Sequence, residues 1–351
     1  MSTSPTLPLI LFLVIGLLGL SLVDTPSARI AKAQNADDEY EEELLKGRDH
    51  LRQRDYEAAL KSFKRANDMR GKKSAECFNL MCEAYLGLGA YKNVIESADK
   101  VIEFAGDDKL LIVRAYNNKG LALQASAEKK DQKKLQAAET AFRQALAIDE
   151  ASPIIRYNLG VTLLQLNRDA EGIAALKQYI ESDPKDQLLE KARQMVENPR
   201  RARENYAPEF SFTSSEGEHI SLDDLRGKVV VLDFWGTWCP PCVDSVPELR
   251  GLHKRYSKEP SFMLIGISSD SDEGAWRDFI SKNKMIWPQY WDRDRRIQRA
   301  FGVRAFPTYI VIDHEGIVRF QSVGTSWQRS ASLEDAIRKQ VKLVAKSLEA
   351  R

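Results

Sequence analysis

Trp235-Gly236-Thr237-Trp238-Cys239-Pro240-Pro241-Cys242 stands where a buried-strand pattern gives way to a helical one. Before it, Lys228 to Phe234 (KVVVLDF) is a run of β-branched and apolar residues that reads as a strand covered on both faces. After it, Pro241 to Tyr256 carries Val243, Val246, Leu249 and Leu252 at helical spacing. The two cysteines therefore fall at a helix N-terminus, where the first meets backbone N–H groups with no intrahelical partner and the positive end of the helix dipole. A thiolate is favoured there. The second sulfur lies one turn on and is shielded. That asymmetry makes Cys239 the expected nucleophile and Cys242 the resolving thiol, exchanging with a client disulfide through a mixed intermediate. Such a dithiol is its own redox centre, and no further cofactor is expected.

Working outward, residues 207–351 alternate short β-branched runs with helical patterns, which argues an α/β layer around a central sheet. Ile220-Ser221-Leu222 opens it after a hairpin-like Glu216-Gly217-Glu218, and Ser261 to Ile267 reads as a second central strand. Ala275 to Lys284 and Arg295 to Phe301 read as helices. Thr308 to Asp313 and Ile317 to Gln321 form a hairpin across His314-Glu315-Gly316, and Leu333 to Leu348 closes the unit. Between the last helix pattern and the hairpin stands Ala305-Phe306-Pro307-Thr308.

Together the dithiol and this proline resemble the thioredoxin superfamily. Pro208, the Ile220 to Gly227 segment, the Trp-Gly-Thr-Trp-Cys run and Pro247 are similar to its extracytoplasmic TlpA-like group, several of whose members serve cytochrome c maturation. The resemblance implies a mixed central sheet and a cis bond before Pro307, packed against the disulfide. It also implies a client-binding surface at Trp238, Pro240 and Phe306, the backbone of Phe306 offering hydrogen bonds to an extended client segment. It favours disulfide reduction, the direction in which that group mostly works. One departure matters. Where the group often has a glutamate three residues after the resolving cysteine, this chain has Ser245, and Asp233 stands six residues before Cys239, where ordinary thioredoxins keep a buried acid. Burial raises a carboxyl pKa, which suits a base that takes the proton from Cys242 as the mixed disulfide resolves. The alternative is a structural aspartate satisfied by backbone amides.

Upstream, from Asp37, apolar residues recur at helical spacing with a period near 34 residues. Gly47, Tyr56, Ala59, Phe63 and Ala66 in 40–73 match Tyr157, Leu159, Gly160, Leu163, Leu176 and Pro184 in 153–186 in kind, and both segments resemble tetratricopeptide (TPR) repeats. Residues 75–108 fit with Cys82, Tyr85, Gly89 and Tyr91. Residues 113–152 fit if a six-residue insertion near Ser126 to Lys133 lengthens the inner turn. Four repeats are expected, stacked because one helical hairpin cannot cover its own apolar face. Residues 187–205 read as a capping helix ending at Asn198-Pro199, with a basic linker at Arg200 to Arg203. Cys77 and Cys82, five apart on one helix, project about 140° apart and are no redox pair. Cys82 takes the slot of Gly47 and Gly160, a small residue at a helix contact, and Cys77 is read as packed too, with an exposed thiol as the alternative.

Leu7 to Val23 is a charge-free apolar run, and Ala31-Lys32-Ala33 offers small residues at the positions a signal peptidase reads. Residues 1–35 are thus expected to be a signal peptide or N-terminal membrane anchor, 37–205 the repeats with their cap, and 207–351 the thioredoxin-like domain. The expected fold class is multidomain, an all-α TPR solenoid followed by an α/β thioredoxin-like domain. A length of 351 residues excludes a single small module, and 52 basic against 51 acidic residues leave no global field to recruit nucleic acid. Zinc would need two ligands besides Cys239 and Cys242, and His50, His219, His253 and His314 form no ligand-spaced set. A peroxiredoxin would have Pro and Thr seven and three residues before its cysteine, where Leu232 and Gly236 stand. His253, three helical turns from Cys242, reads as a surface residue, and Trp276, Trp287, Tyr290, Trp291 and Trp327 as core or rim. The expected protein is a thiol-disulfide oxidoreductase of the periplasm or cell envelope. Its expected partners are protein disulfide or thiol clients, a membrane or periplasmic electron donor and a peptide or protein ligand of the TPR groove. No nucleic acid is expected, and membrane contact only through an N-terminal anchor. The rival is a TPR scaffold with an accessory redox domain.

Overall fold

The computed structural model describes residues 26–128, 131–325 and 332–349, so Leu7 to Val23 and Trp327 lie outside the described residues. Two compact units divide between Ala192 and Arg193. Among the described residues no helix is long and apolar enough to cross a membrane.

The first unit is built of helical hairpins: α1 (Pro26–Arg52) with α2 (Tyr56–Met69), α3 (Ala75–Gly87) with α4 (Tyr91–Phe104), α5 (Lys109–Ala125) with α6 (Gln132–Ile148), and α7 (Pro153–Gln165) with α8 (Asp169–Glu181). The backbone of α1 runs through Ala31-Lys32-Ala33. Asp55, Ser74, Asp108 and Asp131 start four of these helices by accepting a backbone N–H three residues on. Inside each hairpin a small residue admits a large one from the partner helix. A Cβ on Gly47 would sit 2.3 Å from the Phe63 ring, on Gly120 2.5 Å from Phe142, and on Gly160 2.8 Å from Leu176. Gly47 and Gly160 precede their partners by sixteen positions, Gly120 by twenty-two, so the expected six-residue insertion is present in the third hairpin. Its placement differs from expectation. The turn takes about half of the insertion, and the rest adds a turn to the start of α6, where Asp131 supplies a new cap.

Cys82 fills the small-residue slot of the second hairpin, fully buried, with Sγ 3.6 Å from the Val94 carbonyl. Cys77 is packed too, as expected, and equally buried, with Sγ 3.8 Å from the Tyr40 hydroxyl that α1 brings across. Burial pushes both thiols up, Cys82 to about 12.

Helix α9 (Leu188–Glu197) occupies the first part of the expected cap. The expected basic linker is instead a bound turn: residues Pro199–Ala202 form a short 3₁₀ helix, and Arg200 makes a bidentate pair with Glu315 at 2.6 and 2.9 Å. Val318 N–H then donates to the Asn205 carbonyl and Ala207 N–H to the Gly316 carbonyl, fastening 205–207 to the sheet edge.

In the second unit, β1 (Ser211–Thr213) and β2 (His219–Ser221) form a small antiparallel hairpin. The main sheet runs β5–β4–β3–β6–β7, from β3 (Val229–Trp235), β4 (Phe262–Ser268), β5 (Gln289–Trp291), β6 (Thr308–Ile312) and β7 (Val318–Val323). It is mixed: β4 is parallel to β3 and to β5, while β6 is antiparallel to β3 and to β7. The helices are α10 (Pro240–Tyr256), α11 (Glu273–Lys282), α12 (Arg296–Ala300) and α13 (Ser332–Glu349). Strand β3 is buried along its whole length. Val229, Val231 and Trp235 face a core shared with α10, α11 and α13, and Val230, Leu232 and Phe234 face one shared with β1, β2 and α12.

Thiol labelling of the native, oxidised protein under denaturant-free conditions is expected to modify neither Cys77 nor Cys82. Both should react after unfolding; rapid native labelling of either would contradict the hairpin packing described above.

Candidate active site

Strand β3 ends at Trp235, and the chain turns through Gly236, where a Cβ would lie 2.6 Å from the Trp238 indole nitrogen. Asp270, just beyond β4, holds this turn. Its carboxylate accepts from the Thr237 backbone N–H at 3.0 Å and the Thr237 hydroxyl at 2.6 Å, and is itself bonded by Ser268 Oγ at 2.7 Å. The Trp291 indole donates to the Asp270 carbonyl at 2.6 Å. Ser268 pairs in register with both Trp235 and Trp291, so three adjacent strand ends converge on one loop.

Cys239 follows as the N-cap of α10, its Sγ accepting the Cys242 backbone N–H at 3.3 Å. Cys239 and Cys242 form a disulfide with Cα atoms 5.3 Å apart. The first turn of α10 carries no acidic residue, so nothing there competes with a developing thiolate for the helix N-terminus. Both cysteines are nearly buried, whereas Trp238 is 55 % exposed and Pro240 is exposed beside it. The Trp238 ring meets Phe306 edge-on at 5.2 Å between centroids. The Phe306–Pro307 peptide is cis, and Pro307 is buried with its carbonyl accepting the Gly324 N–H at 2.8 Å.

Asp233 lies on the same face of β3 as Val231 and Trp235, in the core that also contains Cys239 and Cys242. It is 1 % exposed, and its Oδ1 has no hydrogen-bond partner among the described residues. Backbone amides do not satisfy that oxygen. Burial alone pushes the carboxyl up to about 8. Beside it in register stands Tyr309, fully buried. The Tyr309 hydroxyl donates to Ser245 Oγ at 2.9 Å, and Ser245 donates to the Cys242 carbonyl at 2.7 Å. Ser245 thus ties the dithiol helix to the strand beside Asp233.

The sequence reading missed Asp270 and Tyr309. The only available signal was Ser268-Ser269-Asp270 closing a strand, a run that reads equally well as a turn. His253 corrects the expectation of a surface residue: it is half-buried with its ring 5.7 Å from Trp287, and burial lowers its pKa. Trp276 and Trp287 are core residues, while Tyr290 and Trp291 are partly buried. Among the described residues no group of three or more His, Cys, Asp or Glu is placed to hold a metal ion.

The AhpC/TSA family matches residues 204–321, and the tetratricopeptide repeat matches residues 130–196. The thiol-disulfide oxidoreductase ResA of Bacillus thuringiensis (strain Al Hakam) is 36% identical over 133 residues, covering 38% of this chain and 75% of that protein. The chain belongs to the ResA family of thiol-disulfide oxidoreductases. A further relative is the thioredoxin-like protein YneN of Bacillus subtilis (strain 168), 32% identical over 120 residues, covering 34% of this chain and 70% of that one. Among solved structures, a thiol:disulfide interchange protein of the thioredoxin family from Chlorobium tepidum TLS is similar at 26% identity, covering 40% of this chain and 97% of that chain with a TM-score of 0.36. This member of the ResA family carries TPR repeats ahead of its thioredoxin-like unit.

A carboxyl held near 8 in the folded state and near 3.8 when unfolded makes the native state bind the extra proton between those values, so stability falls as pH rises from about 4 to about 8. Replacing Asp233 by Asn removes that loss. The oxidised Asp233→Asn protein is expected to exceed the parent in stability at pH 7.5 by on the order of 2–4 kcal/mol, the gain shrinking towards zero near pH 4. Denaturant titrations at the two pH values check this, and a gain independent of pH would contradict the buried, proton-binding carboxyl.

Proposed function

We propose that the protein is an exported disulfide reductase in which Cys239 attacks client disulfides, Cys242 resolves the adduct, and the TPR repeats hold a partner. The observation that carries this reading is the Cys239 sulfur capping α10 in the core that also buries Asp233. In the reduced protein the Cys239 thiolate attacks one sulfur of the client disulfide. The client S–S bond breaks, one client thiolate leaves, and a mixed disulfide forms. Asp233 then takes the proton from the Cys242 thiol, directly or through one water. The Cys242 thiolate attacks Cys239 Sγ, the client leaves with its second thiol, and the protein keeps the Cys239–Cys242 disulfide. Two electrons have passed to the client. A dithiol electron donor at the membrane or in the periplasm returns them.

The Trp238 ring, exposed and braced on Phe306, together with Pro240 and the buried Pro307, supports a client path beside Cys239. An extended segment lying there would meet the backbone of Phe306. In the helical unit, Arg48 of α1, Asn79 and Glu83 of α3, and Leu110 and Arg114 of α5 line a concavity of about 360 Å³. The buried Asn79 Oδ1 has no partner among the described residues, and exposed Leu110 adds apolar surface. A peptide or protein segment suits such a groove, which Arg48 and Glu83 flank with polar groups and Leu110 with apolar surface. The apolar run Leu7 to Val23 supports an extracytoplasmic address, reached by export or by tethering.

The Cys242→Ser variant, expressed full-length in its native compartment, is expected to accumulate mixed disulfides on Cys239 that dithiothreitol releases, and Cys239→Ser to accumulate none. Empty traps alongside normal assembly of a complex would sink the reductase reading and leave the repeats as a scaffold. Equilibration of the Cys239/Cys242 pair against glutathione buffers tests direction. A pair that stays oxidised at cytosol-like glutathione poise, near −250 mV, behaves as a reductant.

A further inference from the structure

Asp233 is one of a row of residues that cross the sheet in register. On one side of it stands Tyr309; on the other stand Gly266 of β4 and then Gln289 of β5. Residues in register share a face of the sheet, so Gln289 and Asp233 project into the same core with one strand between them. At the usual strand spacing their Cα atoms are about 10 Å apart. An ordinary side chain on the intervening strand would wall them off. Gly266 has none, and the Gln289 amide fills the place: a Cβ built on Gly266 would lie 2.1 Å from Gln289 Oε1, 2.7 Å from Cδ and 2.9 Å from Nε2. Gln289 is fully buried, and neither Oε1 nor Nε2 has a hydrogen-bond partner among the described residues. Buried polar groups without partners are costly, so an amide with both atoms unpaired, one strand away from an acid with an unpaired oxygen, calls for a purpose.

We propose that Gln289 is a positioning residue for the dithiol chemistry: its amide, reaching across Gly266, donates Nε2–H to the Asp233 carboxylate through one bridging water, and so stabilises the ionised base. This deepens the reading of Asp233 as the proton acceptor and rests on it. The surroundings leave few competitors for that control. Facing Asp233, β6 contributes Tyr309, β4 contributes Gly266, and α10 contributes Ser245 and the two cysteines. α11 turns Trp276 and Ile280 into the same core, and α13 turns Leu333, Ile337 and Val344. In the oxidised protein the disulfide does not titrate and the Tyr309 hydroxyl is engaged with Ser245, so Gln289 is the neutral group that can answer either charge state of the acid.

The test is a carboxyl ¹³C NMR titration of the oxidised full-length protein, with the Asp233 signal assigned by its loss in Asp233→Asn. Gln289→Met keeps the volume and removes the amide. Gly266→Ala leaves Gln289 in place but forces its amide away from the gap, since the added Cβ would meet it. Both variants are expected to move the Asp233 midpoint to higher pH by about one pH unit, a tenfold change in acid dissociation. The onset of Cys242-dependent resolution should move the same way in single-turnover pH profiles. A midpoint within about 0.2 pH unit of the parent in both variants, each shown to be folded by thermal melting, overturns the proposal. Should Gln289→Met not fold, Gly266→Ala decides alone by the same criterion. The titration reads the coupling whether or not Asp233 is the base. Failure of the base itself would show separately, as unchanged resolution kinetics in Asp233→Asn.

Discussion

One backbone N–H governs the chemistry of this chain. The Cys242 amide, which donates to the Cys239 carbonyl at 2.9 Å as α10 begins, also reaches Cys239 Sγ at 3.3 Å. A helix must begin at this spot for that donor to exist, and two prolines at the first two helical positions suit the start, since neither needs an N–H there. The start is fixed in turn by the end of β3, because Asp270 clamps Thr237 and leaves the chain no slack between strand and helix. Register across three strands therefore becomes the position of one sulfur. Loosening Ser268, Asp270 or Trp291 would act on the dithiol although none of them is a cysteine neighbour in sequence.

Opposed to this stabilisation of a thiolate is a carboxyl placed where ionisation is costly. Asp233 sits in the middle of a strand otherwise made of Val, Leu, Phe and Trp, and burial is the sole cause of its raised pKa. A protein selected for stability alone would place an apolar residue there. Retaining the acid makes sense if it must hold and release a proton near neutrality, the range in which a resolving thiol must be deprotonated. The two devices pull in opposite directions: the helix end favours charge at the Cys239 sulfur, and the sheet core disfavours charge at Asp233. Tyr309 and Ser245 fasten α10 to β6 beside Asp233, so helix and acid keep a fixed separation during exchange.

How much of this could be read from the sequence depends on whether the signal was local. The dithiol, its strand and its helix were legible because all three lie within one continuous stretch. The third TPR hairpin was legible as an insertion because Gly120 and Phe142 keep their pairing whatever the turn length. Strand β5 was not, since three residues, two of them aromatic, give no alternation to count, and they pair only because Gly266 to Ser268 supply a parallel template. The role of Asp270 was hidden for the same reason: its partner Thr237 is thirty-three residues away. Exposure of the Cys77 thiol stayed open in the sequence because its cover, Tyr40, arrives from a different helix. Arg200 to Arg203 looked like a linker because charge density suggests solvent, while the bidentate partner Glu315 lies 115 residues downstream.

The chain also separates two pairs of cysteines by environment alone. Cys77 and Cys82 share a helix, yet their sulfurs meet a tyrosine hydroxyl and a carbonyl oxygen, and desolvation keeps them as thiols. Cys239 and Cys242 are nearly as buried, so burial cannot be what distinguishes a reactive sulfur from an inert one. The difference is what faces the sulfur. A backbone donor at a helix start rewards the anion at Cys239, whereas the Cys82 sulfur faces a carbonyl acceptor and burial outweighs the hydrogen bonds that reach Cys77. Only the first arrangement can carry a disulfide that opens and closes without rearranging the fold around it. That is why the redox work falls to the thioredoxin-like unit, and the sulfurs of the repeats can be treated as small apolar side chains.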